Sequence, residues 1–212
     1  MPASVKNILK STTLTGIHNT IGNILTIEDK YTKALNVAIA SNKNFIIVSD
    51  EDSAKKAINY LKDNRLGRAT FFPLTVIKER YVDYDSLNTL KSSNDFIGVL
   101  SDLVTYNKKY KNIIENQLGQ TILATDIDAA TRLSHLIKNK YRIVTLDGDV
   151  VNVGGSMTGG SIYQTKSIIT TKQELRHTEE KENLLKQELV EIQNELTDLN
   201  KEISELEELA FN

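Results

Sequence analysis

The sequence predicts a mixed α/β domain of the α+β kind, built on an internal repeat and followed by a long coiled-coil helix. Three observations lead there. Short β-rich runs alternate with helix-periodic runs as far as residue 165. A pattern that begins at Ile21 returns at Leu100. From Leu185 onward the apolar residues keep a 4-3 spacing.

The elements follow in order. Val5, Ile8 and Leu9 mark a short helical segment within residues 1–13. Phe45-Ile46-Ile47-Val48, Ala69-Thr70-Phe71-Phe72 and Arg142-Ile143-Val144-Thr145-Leu146 are rich in β-branched and aromatic residues and are expected as strands. Between them, Ala54, Ala57, Ile58 and Leu61 fall on one helix face, as do Ala129, Ala130, Leu133, Leu136 and Ile137. Asp50 and Asp126 stand where N-caps belong, so Asp50/Asp52 and Asp126/Asp128 are expected to cap helices and not to work as acid–base pairs.

The repeat aligns Ile21, Ile24, Thr26, Lys30 and Tyr31 with Leu100, Leu103, Thr105, Lys109 and Tyr110. A helix follows each tyrosine, with Ala34, Leu35 and Ile39 matching Ile113, Ile114 and Leu118. A strand, an Asp-capped helix and a second strand complete each copy. Two lobes, 14–95 and 96–165, are expected to share one core, since neither is long enough to bury an independent one.

Leu185, Leu189, Ile192, Leu196, Leu199, Ile203 and Leu206 have a mean period of 3.5 residues, which keeps one stripe facing a partner helix. Neither Pro nor Gly occurs from Lys166 to Asn212. These seven residues are the expected coiled-coil core of a segment spanning 166–212.

Composition narrows the function. With no cysteine among 212 residues, disulfides, thiolate metal sites and cysteine nucleophiles are excluded. No run approaches eighteen apolar residues, and the N-terminus lacks the apolar core of a secretion signal, so a cytoplasmic protein is expected. Net charge is −2, but it is uneven: residues 166–212 hold 6 basic and 12 acidic side chains, residues 14–165 hold 18 and 16. His18, His135 and His177 are dispersed without ligand spacing, so no metal or other cofactor is expected.

Half of the ten glycines lie between Gly148 and Gly160. Asp147-Gly148 between two β-rich runs reads as a hairpin turn. Beyond it, Gly154-Gly155 and Gly159-Gly160 flank Ser156-Met157-Thr158. Three readings are open. A phosphate-cradling loop would need a lysine where Gly160 stands. A flexible turn would need no partner. Close approach of a second backbone would exploit the missing Cβ atoms, and in a dimer it would be self-complementary. Ser156 and Ser161 lack the Gly-x-Ser-x-Gly frame of a nucleophile elbow.

Gly-Gly-x-x-x-Gly-Gly after Val144-Thr145-Leu146-Asp147-Gly148-Asp149 resembles the end of the hinge domain of SMC (Structural Maintenance of Chromosomes) proteins of bacterial type. Leu66-Gly67-Arg68-Ala69-Thr70-Phe71-Phe72-Pro73-Leu74 resembles a stretch midway through the same family, and the flanking heptads stand where an SMC arm would. The resemblance implies a two-lobed, non-enzymatic domain, with the ATPase in head domains absent from this chain. It implies that Gly154, Gly155, Gly159 and Gly160 lie at a dimer interface with a second hinge, a homodimer by preference. It further implies chromosome condensation and segregation, a nucleoid-associated location, and condensin-type subunits held only by other parts of the full-length protein. On this reading residues 1–13 are an arm stub, 14–165 the hinge and 166–212 the returning arm, cut so that its heptads lack most of their partner.

DNA is the second expected partner. Lys108, Lys109 and Lys111 lie between and beside Tyr106 and Tyr110, a pattern suited to phosphate contact, and Lys138, Lys140 and Arg142 are candidates to extend it. The alternative class is a ligand- or nucleotide-sensing α/β domain on a signalling coiled coil.

Overall fold

The structure, a computed structural model, describes residues 1–160 and 168–210. The expected boundary at 165/166 and Ser161 lie outside the described residues. One compact unit comprises Met1–Ile169 and a second Thr170–Asn212.

The compact unit opens with α1 (Ala3–Lys10), whose Val5 and Ile8 are buried and whose Ser4 hydroxyl donates to the Arg68 carbonyl at 2.8 Å. The first lobe follows as β1 (Ile17–Thr20), α2 (Ile21–Ile24), β2 (Thr26–Ile27), a 3-10 turn (Asp29–Tyr31), α3 (Thr32–Ala38), β3 (Ile46–Val48), α4 (Glu51–Asp63) and β4 (Phe71–Pro73). After α5 (Tyr84–Lys91), the same order returns as β5 (Phe96–Val99), α6 (Leu100–Leu103), β6 (Val104–Thr105), a 3-10 turn (Lys108–Tyr110), α7 (Lys111–Leu118), β7 (Thr121–Ala124), α8 (Ile127–Leu136) and β8 (Arg142–Thr145). Two short strands without a counterpart, β9 (Val150–Val151) and β10 (Met157–Thr158), end the second lobe, and α9 runs Ile168–Ala210.

Local chemistry explains the elements. Asp50 accepts the Ser53 N–H at 2.7 Å and Asp126 the Ala129 N–H at 2.8 Å, so both caps form as expected. α4 and α8 then carry the chain back so that β4 lies parallel to β3 and β8 parallel to β7. Two positions differ from expectation. Ile58 and Leu136 are 38% and 52% exposed, because the buried stripes on these helices are narrower than the apolar pattern.

The sheets are β1-β3-β4 in the first lobe, β10-β9-β8-β7-β5 in the second, and a β2-β6 ribbon joining the lobes. In that ribbon Thr26 pairs with Thr105, its own repeat counterpart, so a pseudo-twofold axis passes between them. Alternation along each strand divides the core. Ile47, Leu123 and Val144 face a cluster shared by both lobes, with Leu35, Ile39, Ile114 and Leu118. Ile122, Ala124 and Ile143 face α8, whereas Ile46 and Val48 face α1 and α4. Sheets buried on both faces require the near-continuous apolar strands seen here.

Side chains stitch the connection between the lobes. Asn112 donates to the carbonyls of Leu74 and Ile77, Asn116 to that of Lys78 and Gln120 to that of Tyr81. Four-residue spacing aligns Asn112 and Asn116 along α7, and Gln120 just past its end continues the row along the same segment. At its end Asp83 caps α5 and accepts from Lys140 and Tyr141, which together hold its carboxyl well below the usual carboxylate range.

Candidate functional site

Beyond β8 the chain reverses twice. Gly148 has φ +88° at the first turn, where the Thr145 N–H donates to the Asp149 carbonyl at 2.9 Å. At the second, Gly154 and Gly155 have φ +83° and +92°, a region that disfavours a side chain. The Asn152 N–H donates to the Ser156 carbonyl at 2.8 Å, and Met157 lies opposite Val151. In this antiparallel register Ser156 and Thr158 bond to β9, so the Met157 N–H and C=O point away from it. β10 is therefore one edge of the five-stranded sheet among the described residues, and β5 is the other. Val153 and Met157 beside it are 64% and 55% exposed.

The four glycines serve two local purposes. A Cβ at Gly155 would lie 3.6 Å from the Asn139 side chain, and one at Gly159 would lie 2.5 Å from Asp149 Oδ1. Gly154 and Gly160 have open space around them but positive φ, +83° and +123°. Positive φ thus favours glycine at 154, 155 and 160, and Asp149 crowds a side chain at 159.

The lysines divide in the same way. Lys108 and Lys109 begin the 3-10 turn before α7, are exposed, and form no ion pair among the described residues; Lys109 Nζ lies 4.8 Å from the centre of the Tyr110 ring. Tyr110 itself is buried in the shared core. Lys111 is paired with Glu79 at 3.4 Å, and Tyr81 and Glu79 hold it in the charged form. Of the residues considered as extensions, Lys140 is paired with Asp83 at 2.7 Å. Arg142 turns inward, donating to the Ala38 carbonyl at 3.1 Å and the Val37 carbonyl at 3.5 Å, so it closes the end of α3 instead of facing solvent. His18 contacts Ser49 at 3.0 Å and Tyr110 at 3.4 Å, and burial followed by Lys109 pushes its pKa down.

The second unit carries the heptad stripe. Leu185, Leu189, Ile192, Leu196, Leu199, Ile203 and Leu206 are all exposed on α9, each by more than half. An apolar seam of this length is bare in the single chain. No helix of the described residues is long and apolar enough to cross a membrane.

A two-lobed repeat with an appended edge strand and a helical arm matches known proteins. A family model described as "SMC proteins Flexible Hinge Domain" matches residues 14–134, more than half of the chain. The chain belongs to the SMC hinge family. The Chromosome partition protein Smc of Bacillus subtilis is 40% identical over 194 residues, covering 87% of this chain and 16% of that protein. That of Methanocaldococcus jannaschii is 36% identical over 199 residues, covering 92% and 16%. This SMC hinge thus spans about a sixth of the curated relatives' length. Among solved structures, an asymmetric dimer of the Geobacillus stearothermophilus SMC hinge domain matches with a TM-score of 0.80 at 38% identity, covering 85% of this chain and 73% of that one. The Pyrococcus furiosus Smc hinge domain with an extended coiled coil matches at 0.64 and 27% identity, covering 94% and 68%.

Asn139 and Asp149, which brace the glycine hairpin, carry no sequence signal of that role. Their partners lie in other elements.

Proposed function

We propose that this SMC hinge joins two copies of the chain, and hence two coiled-coil arms, through the open edge of β10. The observation that carries the reading is the outward Met157 N–H and C=O on a strand flanked by Gly154, Gly155, Gly159 and Gly160. An edge unpaired among the described residues, with exposed Val153 and Met157, is a template for another strand. A complement exists on the same chain. In the second lobe β9 covers the outer side of β8, but β4, the repeat counterpart of β8, is an edge of its sheet. Two β10-to-β4 contacts related by a twofold axis would close a ring and leave neither edge free. The dimer of the Geobacillus relative, an asymmetric one, supports the pairing of two hinges.

Within it, residues 1–13 and 166–212 are arm segments and 14–165 the hinge, and the stripe from Leu185 to Leu206 packs against a second arm helix. The domain performs no catalysis, and ATP hydrolysis belongs to heads outside this chain. DNA is met by Lys108 and Lys109, with Lys111 secondary because Glu79 already neutralises it. Nucleoid association follows from that contact, and partition of chromosomes from the whole protein.

Light scattering tests the assembly. A dimer is expected to persist after removal of residues 172–212, and Met157→Pro, which deletes the outward donor, is expected to give a monomer with unchanged circular dichroism. A truncated chain that is monomeric would refute the reading.

A further inference from the structure

We infer that Asn139 and Asp149 are positioning residues that hold the β10 edge in its pairing geometry, each relaying a buried hydroxyl to one glycine pair. The inference rests on the reading of β10 as the dimerisation edge.

β10 has only two residues in its ladder to β9, which is too little to fix a strand by itself. Both of its ends are braced from elsewhere. At the first, the Gly154 N–H donates to the Asn139 carbonyl at 2.9 Å. That carbonyl is aimed by an unusual backbone: Lys138 and Asn139 have φ +55° and +54°, consecutive left-handed residues closing α8. Asn tolerates this conformation better than most side chains. Asn139 is locked there by Ser134, which is 2% exposed: the Asn139 N–H donates to the Ser134 carbonyl at 2.8 Å, and the Ser134 hydroxyl donates to Asn139 Oδ1 at 2.8 Å. Its side chain then lies against Gly155, where a Cβ would be in contact with it.

At the other end, the Gly160 N–H donates to Asp149 Oδ1 at 3.3 Å, and the same carboxylate fills the space a Cβ at Gly159 would need. Asp149 is fixed in turn by Thr145, fully buried, whose Oγ1 accepts the Asp149 N–H at 3.0 Å. The two braces share a plan. A buried hydroxyl bonds to Asn139 through its side chain and to Asp149 through its backbone N–H. Each residue takes the amide of one glycine, Asn139 by its backbone carbonyl and Asp149 by its carboxylate. Glycine at 159 is therefore favoured by its brace, and at 154, 155 and 160 by backbone shape. A side chain at Gly159 would displace the Asp149 carboxylate before any second copy was met.

The test measures dimer dissociation by sedimentation equilibrium in chains of all 212 residues that carry Ile192→Lys and Leu199→Lys, so that the arm stripe does not contribute. Asn139→Ala and Asp149→Ala are each expected to weaken the dimer about tenfold. Asn139→Asp and Asp149→Asn, which keep the oxygen acceptor, are expected to restore it to within about threefold. Amide hydrogen exchange separates positioning from folding. Gly154, Met157 and Gly160 should exchange faster in the alanine variants, with Leu123 and Val144 as protected as before. Alanine variants that dimerise like the parent, while Met157→Pro dissociates, would overturn the positioning role and leave the edge in place. Loss of protection across the whole lobe would also overturn it. A Met157→Pro chain that still dimerises would overturn the edge and the braces together.

Discussion

The two lobes share an order of elements from β1 to β4 and from β5 to β8, yet they differ where each sheet ends. The first stops at β4; the second continues through β9 to β10. Their 3-10 turns differ as well. Glu28-Asp29-Lys30-Tyr31 stands in the first lobe where the second has Asn107-Lys108-Lys109-Tyr110. In both turns the lysine lies over its tyrosine, at 4.6 Å and 4.8 Å, but the first lobe adds acids and the second adds a lysine. What repeats is the part that builds the core. What does not repeat is the part proposed to meet partners.

If the repeated part is one core, the largest effects must be symmetric. Leu35 and Ile114 are repeat counterparts, both fully buried in the cluster that spans the lobes. Leu35→Ala and Ile114→Ala are each expected to cost about 3 kcal/mol. Urea unfolding followed by circular dichroism should show one transition for the compact unit in both variants. Two transitions would mean that the lobes fold separately.

The next effect should be asymmetric. Arg142 and Thr70 occupy matching positions, since Ile122 pairs with Ile143 as Ile46 pairs with Phe71; Thr70 is exposed, but Arg142 reaches across to the end of α3. Arg142→Ala should destabilise by about 2 kcal/mol, since it strips a charged donor from buried carbonyls. Thr70→Ala should stay within about 0.5 kcal/mol. Equal costs would break the comparison.

That contrast also measures what the sequence could convey. The repeat, both aspartate caps and the heptad stripe are periodic or local signals, so they were legible, and the capped helices and α9 form where they were expected. The fates of Arg142, Lys140 and Lys111 depend on Ala38, Asp83 and Glu79, far away along the chain, and no pattern in their own neighbourhood announces them. The amides of Asn112, Asn116 and Gln120 are the same case. The glycine motif was visible, but its internal reasons, Asn139 and Asp149, required the folded chain.

A smaller contrast lies inside the helices that carry the shared core. Glu115 on α7 is buried with Oε2 unpartnered, and burial pushes its carboxyl up despite Ser101 beside it. Its repeat counterpart on α3 is Asn36. A raised folded-state pKa means that the favourable contribution of the protonated acid is complete below the ordinary Glu range and is lost as pH rises through the raised value. Glu115→Gln should therefore stabilise the chain by about 1 kcal/mol at pH 7 and add nothing near pH 4. A gain of equal size at both pH values would separate the effect from ionisation.

The smallest effects concern the 3-10 turns and are best read from salt dependence. Each lysine that neutralises a phosphate adds about 0.9 to the slope of log affinity against log salt for duplex DNA. Lys108→Gln with Lys109→Gln should make that slope shallower by about two, and Lys111→Gln should change it by less than about half a unit, because Glu79 already holds that ammonium. The first lobe provides the converse. Asp29→Lys gives its turn the charge that Lys108 gives the second, and if the turn surface contacts DNA, the slope should steepen by about one. An unchanged slope in both lobes would remove the turns from the DNA surface and leave the extra edge of the second lobe as the functional difference between the two.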